Sequence, residues 1–146
     1  MKEFRAAVEA GDFESIGDLL ADDVVFHSPV AFKPYEGRPI VHAILRGVGR
    51  VFKDFHYVSE INDPNGRDHA LVFEADVDGV SLHGCDFLTL NEEGRISEFT
   101  VMVRPLSAAN ALAQAMGAQF EQIQSEAAAA LSGSRPSPGS APQEGE

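Results

Sequence analysis

Along residues 80–90 the side chains alternate between two kinds, and one of them is wrong for its face. The even positions are Val80, Leu82, Gly84, Asp86, Leu88 and Leu90, and the odd ones are Ser81, His83, Cys85, Phe87 and Thr89. A strand sends successive side chains to opposite faces, so Asp86 points inward with the apolar set. An ionised carboxylate there is costly, and Asp86 must either find a hydrogen-bonding partner or keep its proton. Acids perturbed in this way gather at active sites. The competing reading is a bulge at Gly84 that rotates the register and turns Asp86 outward.

His27 and Ser28 form a second candidate pair. An imidazole has an ordinary pKa of about 6.5, suited to acid–base work. Neighbours on a strand face opposite ways, so His27 and Ser28 enter one pocket together only if the strand has already ended. His83 has the same parity conflict with Asp86. The five histidines, at 27, 42, 56, 69 and 83, include no i,i+4 pair around a Glu, so no metal motif is visible. Asp76-Val77-Asp78-Gly79 lacks the later ligands of a calcium loop and reads as a hairpin turn. Cys85 has no basic neighbour in sequence to activate it and reads as an inert thiol. Residues 1–146 contain no glycine loop of nucleotide-binding type.

The elements that position these residues are set by spacing. Residues 2–10 and 13–21 carry helical periodicity, and Gly11-Asp12 between them supplies a stop followed by a cap. Val24-Val25-Phe26-His27, halted by Pro29, predicts a short edge strand. Pro39 then opens a third helix with Ile40, Val41, Ile44, Leu45, Val48 and Phe52 on one stripe. From Phe55 the period becomes two. The turn signals Pro64-Asn65-Gly66, Asp78-Gly79 and Glu93-Gly94 divide this half of the chain into antiparallel strands near 55–61, 70–77, 80–90 and 96–104. Ser107 is placed to cap a last helix carrying Leu112, Met116, Phe120, Ile123, Ala127 and Leu131.

Composition bounds the partners. With 23 acidic against 11 basic side chains, a net charge of −12 and no basic patch, nucleic acid and anionic membrane surfaces are not expected partners. No apolar stretch approaches the length of a membrane span or of a secretory leader. A lone cysteine suits a reducing compartment, and a cytoplasmic location is expected.

The run Asp86-Phe87-Leu88-Thr89-Leu90-Asn91-Glu92-Glu93-Gly94-Arg95-Ile96, with Gly11-Asp12-Phe13-Glu14 and Leu20-Ala21-Asp22-Asp23-Val24, resembles the nuclear transport factor 2-like superfamily. Within it the SnoaL-like proteins and bacterial ketosteroid isomerases are most similar, over about residues 4–104. The resemblance implies one fold on which isomerases, cyclases, hydrolases and non-catalytic binders all occur. In the isomerases an apolar site keeps a carboxylic acid protonated, so that it donates to a developing enolate. Asp86, by its spacing to Gly94-Arg95-Ile96, stands at that acid. The isomerase base falls on Ser28 and the oxyanion tyrosine on Phe4; serine abstracts no proton unaided, and phenylalanine donates nothing. The Asp that polyketide cyclases carry in their last strand has no counterpart in Ser97-Glu98-Phe99-Thr100-Val101-Met102-Val103-Arg104. Of the Asp-Arg-Asp set of the epoxide hydrolases, Arg104 is the one arginine nearby, and its parity matches Glu98.

The expectation is an α+β domain over residues 1–131, a cone-shaped curved antiparallel (mixed) sheet wrapped around N-terminal helices with an internal pocket, followed by a disordered tail at 132–146. The pocket takes a small hydrophobic molecule without cofactor or metal. Asp86 is its acid, assisted by Ser28 or His27, and Phe4, Ile44, Leu71, Phe73, Leu82, Phe99, Val101 and Val103 are its walls. The chemistry implied is proton transfer next to a carbonyl, of isomerase or cyclase type; the alternative is a binding or dimerisation module of the same fold without catalysis. A homodimer is expected through the outer sheet face or the last helix, with Tyr57 and Phe87 available for contact.

Overall fold

A computed structural model of the chain describes residues 1–132, and of the expected tail at 132–146 all but Ser132 lies outside the described residues. Helix α1, Lys2–Ala10, ends where Gly11 takes a left-handed φ of 73°, a conformation glycine adopts without steric cost. Asp12 accepts from the Ser15 amide and caps a single-turn helix α2, Phe13–Ile16. A 3₁₀ turn, Gly17–Leu19, leads into strand β1, Leu20–His27. The helical spacing predicted to 21 is thus cut short. Leu20 pairs with Ile96 across the sheet and is fully buried, so tertiary pairing overrides the local periodicity.

A two-residue strand β2, Tyr35–Glu36, which carries no sequence pattern of its own, covers the outer edge of β1. Helix α3, Arg38–Val51, begins with Pro39 in its first turn. Strands β3 (Lys53–Asn62), β4 (Asp68–Val77), β5 (Val80–Leu90) and β6 (Ile96–Arg104) come next. The last helix, α4, spans Leu106–Leu131. Its N-cap position is Pro105, so Ser107 lies inside the helix and does not cap it.

The six strands form one mixed sheet in the order β2-β1-β6-β5-β4-β3, with β1 parallel to β6 and every other pair antiparallel. The helices cover one face. Edge-on ring contacts tie Phe4 of α1 and Phe26 of β1 to Phe99 of β6, at 5.6 and 5.4 Å between centroids. Helix α4 lies on α3 where Gly47 lets Ile123 approach, and Arg50 Nε donates to Gln119 Oε1 at 2.6 Å beside that contact.

The bulge at Gly84, the competing reading of the sequence, is absent. Residues 80–89 of β5 pair in unbroken register with β4, and the one shift against β6 comes later, between Thr89 and Leu90. Gly84 has another role. A Cβ there would stand 2.3 Å from Cζ of Phe73, so the glycine makes room for that ring. No helix among the described residues is long and apolar enough to cross a membrane.

Candidate functional site

Because the register runs through Gly84 undisturbed, Asp86 keeps its inward parity, opposite Leu71 on β4 and Val101 on β6. It is 6% exposed and is the one carboxyl in the buried set among the described residues. The hydroxyl of Tyr57, itself buried on β3, donates to Asp86 Oδ2 at 2.9 Å. Burial pushes the Asp86 carboxyl up to about 7 from an ordinary 3.8, and the Tyr57 bond pulls it partly back. The phenol is held far above its ordinary range by its own burial and by the adjacent carboxylate. Burial therefore favours the protonated carboxyl, beside a phenol that stays protonated.

The pair lies on a cavity of about 320 Å³. Phe52, Phe55 and Phe73 form an aromatic wall, with Phe55 and Phe73 stacked at 4.7 Å. Leu112 and Met116 of α4 line it too, as do Val8 and Glu9 of α1 and Ser28, Pro29 and Val30 after β1. Arg5 stands behind the phenol. Its guanidinium carbon is 5.5 Å from the Tyr57 ring centroid, and it pairs with Glu9 at 3.2 Å and Glu60 at 2.9 Å.

Of the residues expected from sequence, Asp86, Ser28, Phe4, Ile44, Phe73, Phe99 and Val101 all line the cavity. His27 does not. It lies opposite Thr100 and Thr100 opposite Phe87, a row on the outer sheet face, and its Nε2 meets Glu98 Oε2 at 3.3 Å. Strand β1 runs through His27, so the parity conflict with Ser28 is resolved in favour of Ser28, which lies just past the strand's end. Leu71, Leu82 and Val103 also fall outside the lining. They share the inward face, but parity selects a face and not a depth. Leu71 and Leu82 are in the packed core and Val103 packs against it.

Tyr57 is the residue that sequence reasoning misplaced, as an outer-face contact. The signal was present, because Phe55 and Tyr57 alternate with the polar Asp54 and His56. A register shift between Tyr57 and Ser59 then reverses parity, which leaves Ile61 63% exposed. Nothing in the local sequence marks the partner of its hydroxyl, 29 residues away. The other flagged groups stand apart from the cavity. His42 is half-buried with Nε2 2.7 Å from the Phe13 carbonyl, and burial lowers its pKa. Burial raises the Cys85 thiol, which sits on the outer face opposite Met102. No group of three or more His, Cys, Asp or Glu among the described residues is arranged to hold a metal.

Residues 1–99 match the family model described as the SnoaL-like domain. A steroid delta-isomerase from Pseudomonas aeruginosa is 38% identical, with a TM-score of 0.80 over 85% of this chain and 90% of that one. An uncharacterized bacterial protein with a cystatin-like fold from Silicibacter pomeroyi is 36% identical, with a TM-score of 0.75 over 84% and 90%. The epoxide hydrolase/cyclase-like enzyme SalBIII of salinomycin pyran-ring formation shares the fold at 18% identity, with a TM-score of 0.60 over 72% and 88%. No curated protein matches the chain.

Proposed function

The chain belongs to the SnoaL-like family, whose model spans residues 1–99, and with that as premise we propose that it binds a small apolar carbonyl compound and moves a proton next to the carbonyl. The observation that carries this reading is Asp86, a carboxyl buried in an apolar cavity and bonded to Tyr57. In its protonated form it donates a hydrogen bond to a carbonyl oxygen, and that bond strengthens as the oxygen gains negative charge in an enolate. The Tyr57 phenol donates to the acid and so fixes and polarises it from the side, and Asp86 is left as the donor to the substrate oxygen. The cavity volume falls at the small end of the range of about 300–1,000 Å³ usual for ligand pockets, and its aromatic wall suits a flat ring system. Likeness to a steroid delta-isomerase at 38% identity supports a fused-ring ketone as ligand.

Titration of the protein with 2-naphthol, a flat phenol that imitates an enolate, tests binding, and a fused-ring β,γ-unsaturated ketone tests turnover through the absorbance of its conjugated product. Wild type binds the phenol and converts the ketone, and Asp86→Asn lowers kcat by roughly 100-fold or more. Binding without conversion by wild type would favour the second reading, a ligand-binding module, which Ser28 at the base position supports.

A second copy is proposed to cover the outer face. Ile61, Phe87 and Met102 are exposed apolar groups on its rows. The adjoining row His56, Glu74, His83, Arg104 carries both signs of charge. In a chain of net charge −12, such a locally balanced face is one that can meet itself about a two-fold axis. A cytoplasmic setting accords with the free thiol of Cys85.

A further inference from the structure

We propose that Glu9 is the general base of this cavity, the carboxylate that takes and returns the proton while Asp86 holds the carbonyl oxygen; the inference rests on the proton transfer proposed for the pocket. Proton transfer at carbon needs a base within reach of the C–H bond, in addition to a donor at the oxygen. The position that the family resemblance assigns to that base is Ser28, whose hydroxyl accepts from the Val30 amide at 3.1 Å and has no basic partner among the described residues. His27 faces away on Glu98. Among the described residues, the cavity-lining side chains that can ionise are Glu9, Tyr57 and Asp86. Tyr57 commits its proton to Asp86, and Asp86 serves the oxygen. Glu9 is the carboxylate left for carbon.

Its placement suits the task. Glu9 stands in the last turn of α1, two residues before the left-handed Gly11, and its side chain is 41% exposed. Together with the exposed Val30, this puts it where the cavity opens to solvent. Arg5, one turn earlier, engages its Oε2 through Nε at 3.2 Å. Arg5 is in turn fixed by Glu60 and lies over the Tyr57 ring. One guanidinium therefore orients the proposed base and also braces the phenol that positions the acid, so both ends of the site share one scaffold.

The step balances without a co-reactant. A Glu9 oxygen bonds the proton of the carbon between carbonyl and double bond, and that C–H pair becomes the new C=C of a dienolate. The carbonyl π pair moves onto oxygen, where the Asp86 proton meets it. Glu9 then returns the proton to the far carbon, which bonds it with the pair of the original C=C. The pair of the new C=C shifts to the middle bond, the oxygen pair re-forms the carbonyl, Asp86 keeps its proton, and substrate and product are isomers.

The test uses full-length wild type, Glu9→Gln, Glu9→Asp and Asp86→Asn, with 2-naphthol for binding and the β,γ-unsaturated ketone for turnover. Glu9→Gln is expected to keep its Tm and to bind 2-naphthol within about threefold of wild type. It should lose at least about 100-fold in kcat with KM little changed, and Glu9→Asp should recover part of the rate. If Glu9→Gln turns over like wild type while Asp86→Asn does not, the base lies elsewhere and the acid site stands. If wild type binds the phenol but never converts the ketone, the base and the catalytic reading fail together.

Discussion

Asp86 is the residue on which pH and stability meet. In the folded chain its carboxyl keeps a proton up to about pH 7, whereas an unfolded one releases it near 3.8. Between those values the folded state binds more protons, so this contribution to stability is fully present below 3.8 and lost as pH rises through about 7. Asparagine, neutral throughout, has no such dependence. Urea denaturation of Asp86→Asn against wild type should therefore move in favour of the variant by on the order of 4 kcal/mol between pH 4 and pH 8. Tyr57→Phe removes the hydrogen bond that stabilises the carboxylate, so the carboxyl-carbon NMR titration of Asp86 should move upward from its wild-type position. A wild-type titration at or below the ordinary carboxylate value would remove the neutral acid and with it the proposed chemistry.

At the scale of elements, the site depends on β5 staying regular and on β3 not doing so. Gly84 leaves room for the Phe73 ring, which is held by Phe55 and Phe52 and has little freedom to retreat. Gly84→Ala should cost roughly 1–3 kcal/mol by overpacking and weaken 2-naphthol binding, because the displaced ring is part of the cavity wall. Gly47→Ala provides the contrast. The atom it meets, at 2.8 Å, is the far end of the Ile123 side chain, and alanine returns about 1 kcal/mol of helix propensity. Denaturation midpoints should therefore fall more for Gly84→Ala than for Gly47→Ala, and the reverse order would mean that the Phe73 ring is looser than its stack implies. Of the two register shifts in β3, the one between Tyr57 and Ser59 leaves Tyr57 inward opposite Phe73 and brings Glu60, opposite Leu71, to the same side for Arg5.

For the whole molecule, the covered and uncovered sides of the sheet divide the work. The helix side holds the cavity, and the outer side presents Phe87 and Met102, at 41% and 58% exposure. If a second copy covers that side, sedimentation of wild type should report a dimer at micromolar concentration. The pair Phe87→Lys with Met102→Lys should then sediment as a monomer while retaining 2-naphthol binding. A monomeric wild type would leave the outer face free and the cavity unaffected.

Alternation and turn chemistry, read along the chain, were enough to set β5 and β6 to their end residues and to turn Asp86 inward, because a period of two and glycine at a turn are local properties. Asp86 betrayed itself as a polar residue in an apolar row. The parallel pairing of β1 with β6, the two-residue β2 and the early start of β1 at Leu20 depend on partners far along the chain. So does the depth of a side chain within its face: Phe73 and Leu71 share parity, yet one lines the cavity and the other is packed in the core. The site itself was half legible. Its acid lies in a pattern, but its phenol, its guanidinium and the carboxylate at its mouth come from β3 and α1, and only folding brings them together, since a hydrogen bond across 29 residues leaves no periodic trace in either strand.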